Sequence, residues 1–296
     1  MQLESLSPFL LKLQDFYLNF NIKQVEWVLR WEYPLIASVV YLVLSYGLKS
    51  VFGTEKPLNS KTTDKSVANN NNNTDKKSKD GLLMYFFTQL HNVNLIVLSF
   101  SMLCGIVYEI VQRSLTLGVF RGSICPLDSA TNQDDHPVVS GPVAFWIFIY
   151  HLSKYYELVD TMLIVFKRKP LILLHVYHHL IMIWITWSWM KDPWLVGSWW
   201  CVMVNSIIHT IMYYYYLRTA QGYTLKWKTI LTAGQIIQLF SGFFLVTYWF
   251  FIRVENECTR GFYSGVFSHV VNGTLILQFI YFYYRSYIAP KKEKSN

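Results

Sequence analysis

Apolar residues recur along the chain in seven long stretches, at about 34–52, 83–111, 142–166, 171–190, 194–217, 229–252 and 263–284. Each is long enough for a membrane-spanning helix, which needs ~20 mostly apolar residues to cross ~30 Å of hydrocarbon. Backbone polar groups must be satisfied within lipid, so the stretches predict helices and not open strands. Ahead of the first, residues 9–29 place Phe9, Leu10, Leu13, Phe16 and Phe20 along one side of an interfacial amphipathic helix. Between the first and second stretches, residues 54–80 are polar and include five consecutive asparagines, Asn69 to Asn73, which predicts a disordered linker.

Composition agrees with this pattern. The 296 residues are 53% hydrophobic and 15% charged, against about 25% charged in an ordinary soluble domain. The fold class predicted is an all-α integral membrane protein with seven transmembrane helices in one polytopic domain, 1–296. Basic residues then orient it. Six lysines fall between Thr54 and Asp80, and Lys167, Arg168, Lys169, Arg218, Lys226, Lys228 and Arg285 all lie on the same side. Positive loops face the cytosol. The N-terminal segment 1–33 is therefore expected in the lumen, and the tail 285–296 in the cytosol. That tail ends in Lys292-Glu-Lys294-Ser-Asn, a K-x-K-x-x dilysine pattern of the kind read on cytosolic tails. The net charge of +8 is accounted for by topology and anionic cytosolic ligands, with no soluble basic surface for nucleic acid.

Charged and polar residues inside the spans point to chemistry, because each charge at the bilayer centre costs ~2.5–3.5 kcal/mol on insertion scales. In the third stretch Lys154, Glu157, Asp160 and Thr161 share one helical stripe; in the fourth, His175, His178 and His179 share another. Asn205 and His209 follow in the fifth, and Thr232, Gln235 and Gln238 in the sixth. Four stripes that cannot face lipid must converge on a buried cavity. Taken singly, the glutamines have a packing role open to them, as do the tyrosines at 213–216 and the Lys154–Glu157 pair. Cys104 and Cys201 sit within spans, whereas Cys125 and Cys258 fall in two connections placed in the lumen. An oxidising compartment permits a disulfide between those two, the alternative being two free thiols.

Clustered imidazoles serve either as metal ligands or in nucleophilic and acid–base catalysis. Membrane diiron desaturases and hydroxylases need about eight histidines in several clusters. This chain has eight in all, of which His175, His178, His179 and His209 lie with the polar stripes. The count runs short for that metal site. A seven-helix receptor or transporter is the third class the hydropathy allows.

The four motifs, Lys154-Tyr-Tyr-Glu157-Leu-Val-Asp160-Thr161, His175-Val-Tyr-His178-His179, Asn205-Ser-Ile-Ile-His209 with Tyr215 beyond it, and Thr232-Ala-Gly-Gln235-Ile-Ile-Gln238, resemble in order and spacing those of the fatty acid elongase (ELO/ELOVL) family. The resemblance implies an endoplasmic reticulum protein, six of whose helices surround a narrow acyl tunnel closed at its lumenal end. It implies a very-long-chain 3-oxoacyl-CoA synthase, which condenses acyl-CoA with malonyl-CoA and releases CoA and CO2. Carried over residue by residue, it makes His178 the acyl acceptor, with His175, His179, Asn205 and His209 completing the catalytic set. Lys154, Lys167, Lys169, Lys228 and Arg285 become candidates for the CoA phosphates, with Glu157, Asp160, Tyr215, Thr232, Gln235 and Gln238 lining the substrate path. No metal or other cofactor is expected. The partners implied are the two CoA substrates, membrane lipid, the ketoacyl-CoA reductase, dehydratase and enoyl-CoA reductase of the elongation cycle, and a second copy of the chain. Family members favouring polyunsaturated chains often carry Gln where this chain has Pro170, which suggests C16–C18 saturated or monounsaturated acyl-CoA.

Overall fold

The computed structural model describes residues 8–53, 71–125, 137–255, 258 and 260–289. The dilysine pattern and most of the expected linker lie outside them. Among the described residues the structure is helical, with one isolated antiparallel bridge, Asn21 to Ser140, in place of any sheet. The helices are α1 (Pro8–Leu18), α2 (Glu32–Phe52), α3 (Asn71–Leu117), α4 (Pro142–Tyr156), α5 (Leu158–Phe166), α6 (Leu173–Lys191), α7 (Leu195–Ala220), α8 (Lys228–Ile252) and α9 (Phe262–Tyr283). Five are long and apolar enough to cross a membrane: α2, α3 from Gly81, α7, α8, and α9 continued to Ile288. α6 holds 19 residues, but its three histidines lower its hydropathy. α4 and α5, with 15 and 9 residues, are each too short alone and together fill the third apolar stretch.

The interfacial segment departs from the single helix expected over residues 9–29. α1 stops at Leu18, and a separate 3-10 segment runs over Ile22–Leu29. Asn21 makes the division by capping the second piece, its Oδ1 accepting from Lys23 N at 2.9 Å. On either side the backbone pairs elsewhere: Ile22 N donates to Val139 O at 2.8 Å, and Gly141 N to Phe20 O at 2.6 Å. A continuous helix would have consumed those groups. The Tyr17 hydroxyl donates to Glu109 on α3, and burial with that bond pushes its pKa well up, so it remains a donor. α3 begins at Asn71, ahead of the expected span.

α3 packs on α4 and α7, α7 on α8, α8 on α9, α9 on α6, and α6 on α4; α2 lies against α5 and α6. The buried apolar cluster between them includes Ile106, Ile147, Tyr150, Trp189, Val202, Val246 and Leu275. α3 and α4 approach closely at Gly105, where an added Cβ would stand 1.9 Å from Trp146 Cε2. Cys125, after α3, and Cys258, after α8, are bonded to each other with their Cα atoms 5.6 Å apart. The large apolar side chains of α2, such as Ile36, Val39, Val43 and Val51, point outward, as on a lipid-facing helix.

Candidate functional site

The helix of the third stretch breaks at Glu157, and the break builds the site. Glu157 N bonds back to Ser153 O at 2.8 Å, and Asp160 N bonds to Glu157 O at 3.0 Å, a three-residue turn tighter than the α-helix on either side. Lys154 and Glu157 are each 2% exposed, and Lys154 Nζ lies 2.7 Å from Glu157 Oε1. The same ammonium donates to Asn205 Oδ1 on α7 at 3.1 Å and sits 4.1 Å from the centre of the Tyr150 ring. Tyr150 OH also donates to Asn205 Oδ1, at 2.9 Å. Glu157 Oε1 further accepts from Ser153 Oγ at 3.3 Å and faces His209 Nδ1 at 3.5 Å. A buried charge is tolerated only when paired and hydrogen-bonded, and this pair is surrounded by Tyr150 and Ser153 of α4 and by Asn205 and His209 of α7.

A second network lies beside it. Asp160 takes His91 Nε2 on Oδ1 at 2.8 Å, and Tyr213 OH donates to Oδ2 at 2.7 Å. Thr161 Oγ1 bridges Tyr41 OH at 2.8 Å and His175 Nε2 at 2.9 Å. His175 and His179 meet with ring centres 4.4 Å apart, and His178 and His179 with centres 5.4 Å apart. The three histidines of α6 therefore divide: His175 is tied to Thr161, His179 is packed between its neighbours and Tyr41, and His178 reaches a cavity. Among the described residues no group of three or more His, Cys, Asp or Glu is arranged to share a metal ion.

The cavity runs between α6, α7, α8 and α9. His178, Asn205 and Gln238 stand at one end, and Trp194 and Gly197 at the other, with Met182, Ile185, Val204, Leu239 and Leu245 among the walls. It is lined mainly by apolar side chains, with a few polar ones gathered near His178, the usual make-up of a small-molecule site. Gln238 Oε1 and Asn272 Oδ1, from two residues that line it, are buried without a hydrogen-bond partner.

The remaining expected residues sit apart from this centre. Lys167, Lys169, Lys228 and Arg285 are exposed, whereas Lys154 is enclosed. Thr232 lies within 3.2 Å of Tyr287 OH, Gln235 Nε2 reaches Met212 Sδ at 3.6 Å, and Tyr215 packs on Trp227. Sequence reading gave no site role to His91, Tyr41, Tyr150 or Asn272. His91 stands at helical spacing from Thr88, and Tyr41 from Ser38 and Ser45, but these are uncharged polar groups, which draw less notice on an apolar helix than charges do.

The chain matches the ELO: GNS1/SUR4 family over residues 27–295. It is 38% identical over 266 residues to fatty acid elongase sre1 of Dictyostelium discoideum, covering 89% of this chain and 87% of that protein. Fatty acid elongase 3 of Trypanosoma brucei brucei is 29% identical over 295 residues, covering 91% of this chain and 89% of its own. Very long chain fatty acid elongase 6 of Homo sapiens is 30% identical over 163 residues, covering 54% of this chain and 61% of its own. The motifs, the buried network they build and the match along nearly the whole chain agree: this protein belongs to the ELO (GNS1/SUR4) family.

Proposed function

We propose that this chain acts in fatty acid elongation as the condensing enzyme, joining a long-chain acyl-CoA to malonyl-CoA. The observation that carries the reading is His178 at the head of a mainly apolar cavity, beside the Lys154–Glu157–Asn205 network. The cyclic order of neighbours among α3, α4, α6, α9, α8 and α7 supports a six-helix barrel with the acyl chain inside, α2 being the seventh span. The protein then lies in the endoplasmic reticulum membrane, N-terminus lumenal, with the His175 end of α6 toward the cytosol. Lys167, Lys169, Lys228 and Arg285, all exposed, meet the CoA phosphates at that mouth.

In the first step the His178 imidazole attacks the thioester carbonyl. An N–C bond forms, the C–S bond breaks, and CoA leaves with the proton the ring gives up. Malonyl-CoA then loses CO2, and its enolate carbon attacks the acyl-imidazole; a C–C bond forms, the N–C bond breaks, and a proton returns to the ring. The product is a 3-oxoacyl-CoA two carbons longer. The oxyanion of each step is stabilised by donors fixed beforehand around Asn205, with His175, His179 and His209 positioning the groups. Lys154 acts within this network by holding the Asn205 side chain.

Acyl-CoA alone should release CoA and leave an acyl adduct on the peptide containing His178, detected by mass spectrometry after digestion. His178→Ala should abolish that release. CoA release that requires malonyl-CoA, with no adduct trapped, would replace the covalent step by direct attack in a ternary complex.

A further inference from the structure

At the far end of the cavity stands a side chain with an unusual seat. Trp194 precedes the first residue of α7 and is 2% exposed. Its ring lies on Gly197, where an added Cβ would stand 2.1 Å from Trp194 Cζ3 and 2.2 Å from Cη2. From the other side Gly261, ahead of α9, brings its backbone against Trp194: an added Cβ would stand 2.6 Å from Trp194 Cβ and 2.8 Å from its Cα. Gly261 also has φ 79°, a conformation that side chains disfavour. Asp192 fixes this approach, Oδ1 accepting from Gly261 N at 3.0 Å and Oδ2 from Ser264 N at 2.9 Å. Trp249 closes the third side, its ring 5.4 Å from that of Trp194. The indole is therefore pinned by three elements, and with Gly197 it faces the cavity.

We infer that Trp194 is the floor that sets acyl chain length, and that Gly197 and Gly261 set the height of that floor. The inference rests on the elongase reading of the cavity. Asn205 stands eight residues above Gly197 and eleven above Trp194 on α7, which is ~12–16 Å at ~1.5 Å per residue. An extended alkyl chain advances ~1.25 Å per carbon, given C–C bonds of about 1.5 Å at the tetrahedral angle, so ~10–13 carbons fit beyond the carbonyl. Acyl donors of about 14 carbons fill that space, below the C16–C18 expected from the sequence. A longer chain must displace a side chain that has nowhere to go. Trimming the ring lowers the floor, and adding a methyl at Gly197 raises it.

The test compares wild type, Trp194→Phe, Trp194→Leu and Gly197→Ala in detergent, with a series from decanoyl- to eicosanoyl-CoA. Two readouts are taken: malonyl-CoA-dependent extension, and thermal stabilisation by each acyl-CoA alone. The ratio of stearoyl to myristoyl extension should rise ~10-fold in Trp194→Leu, rise less in Trp194→Phe and fall ~10-fold in Gly197→Ala, the range in which a pocket discriminates by one or two methylenes. The ratio is internal to each preparation, so partial loss of folded protein does not alter it, and Trp194→Phe carries the test if the leucine variant fails to fold. Extension that proceeds with the same length profile in every variant would overturn the floor and leave the elongase reading standing. A stabilisation profile that steps with chain length and moves with Trp194, in a protein that extends nothing, would do the reverse.

Discussion

At the scale of single residues, the Lys154–Glu157 pair carries the greatest cost of error. Lys154→Met would leave the Glu157 carboxylate buried without its ammonium partner and should lower stability by about 3–5 kcal/mol, read from unfolding in mixed micelles. Adding Glu157→Gln to the same chain should recover most of that loss, because no bare charge remains. A double variant as unstable as the single one would mean that Lys154 acts through Asn205 and Tyr150 more than through Glu157. Tyr213→Phe removes one of the two donors to Asp160 and should cost about 1.5–3 kcal/mol, the range for hydrogen bonds to charged groups. The stripes of Lys154, Glu157, His175 and His178 were legible in sequence because charges spaced by helical turns stand out against an apolar background. Their partners were not. Tyr150 looks like any aromatic core residue, and Tyr213 is hidden in a run of four tyrosines; only the folded chain, which sets Tyr150 of α4 against Asn205 and Tyr213 of α7 against Asp160 of α5, shows what each hydroxyl meets.

Among elements, hydropathy placed the helices to within a few residues except α3, which runs past its expected span at both ends, and except where local chemistry intervened. It could not foresee the division of the third stretch at Glu157, since the break follows from a side chain drawn to Lys154 and a backbone turn around it. Nor could it foresee that Asn21 splits the interfacial segment, because the competing partners, the Val139 carbonyl and the Gly141 N–H, meet it only on folding. Close helix approach is a further property invisible in composition. Gly105→Ala should destabilise by about 1–3 kcal/mol, since the methyl is directed into Trp146 where α3 meets α4. Gly47→Ala on α2 offers the contrast: nothing lies within 4 Å of the added carbon, so the gain in helix propensity should stabilise by roughly 0.5–1 kcal/mol. Paired thermal melts of the two variants check both signs, and a Gly105→Ala protein as stable as wild type would show that Trp146 can move aside.

Over the whole molecule, the Cys125–Cys258 bond ties the segment after α3 to the segment after α8, 133 residues apart in sequence. Cys258→Ser should lower stability by about 2–4 kcal/mol, and non-reducing peptide mapping should find the two cysteines in one fragment in the wild type alone. Charge distribution allowed both cysteines to be assigned to one side of the membrane, but the floor of the cavity was out of reach of such reasoning. It needs Asp192, Trp194, Gly197 and Gly261 to meet from the α6–α7 turn, α7 and the start of α9, and nothing in their spacing announces it. That seat also biases how the protein can vary. Almost any side chain introduced at position 197 or 261 collides with the indole or its backbone, so with Trp194 as the proposed floor many single substitutions would lead toward shorter products or none. Toward longer products the route narrows to position 194 itself. A lineage descending from such a chain would shorten its products readily and lengthen them rarely, an asymmetry written into two residues that have no side chain.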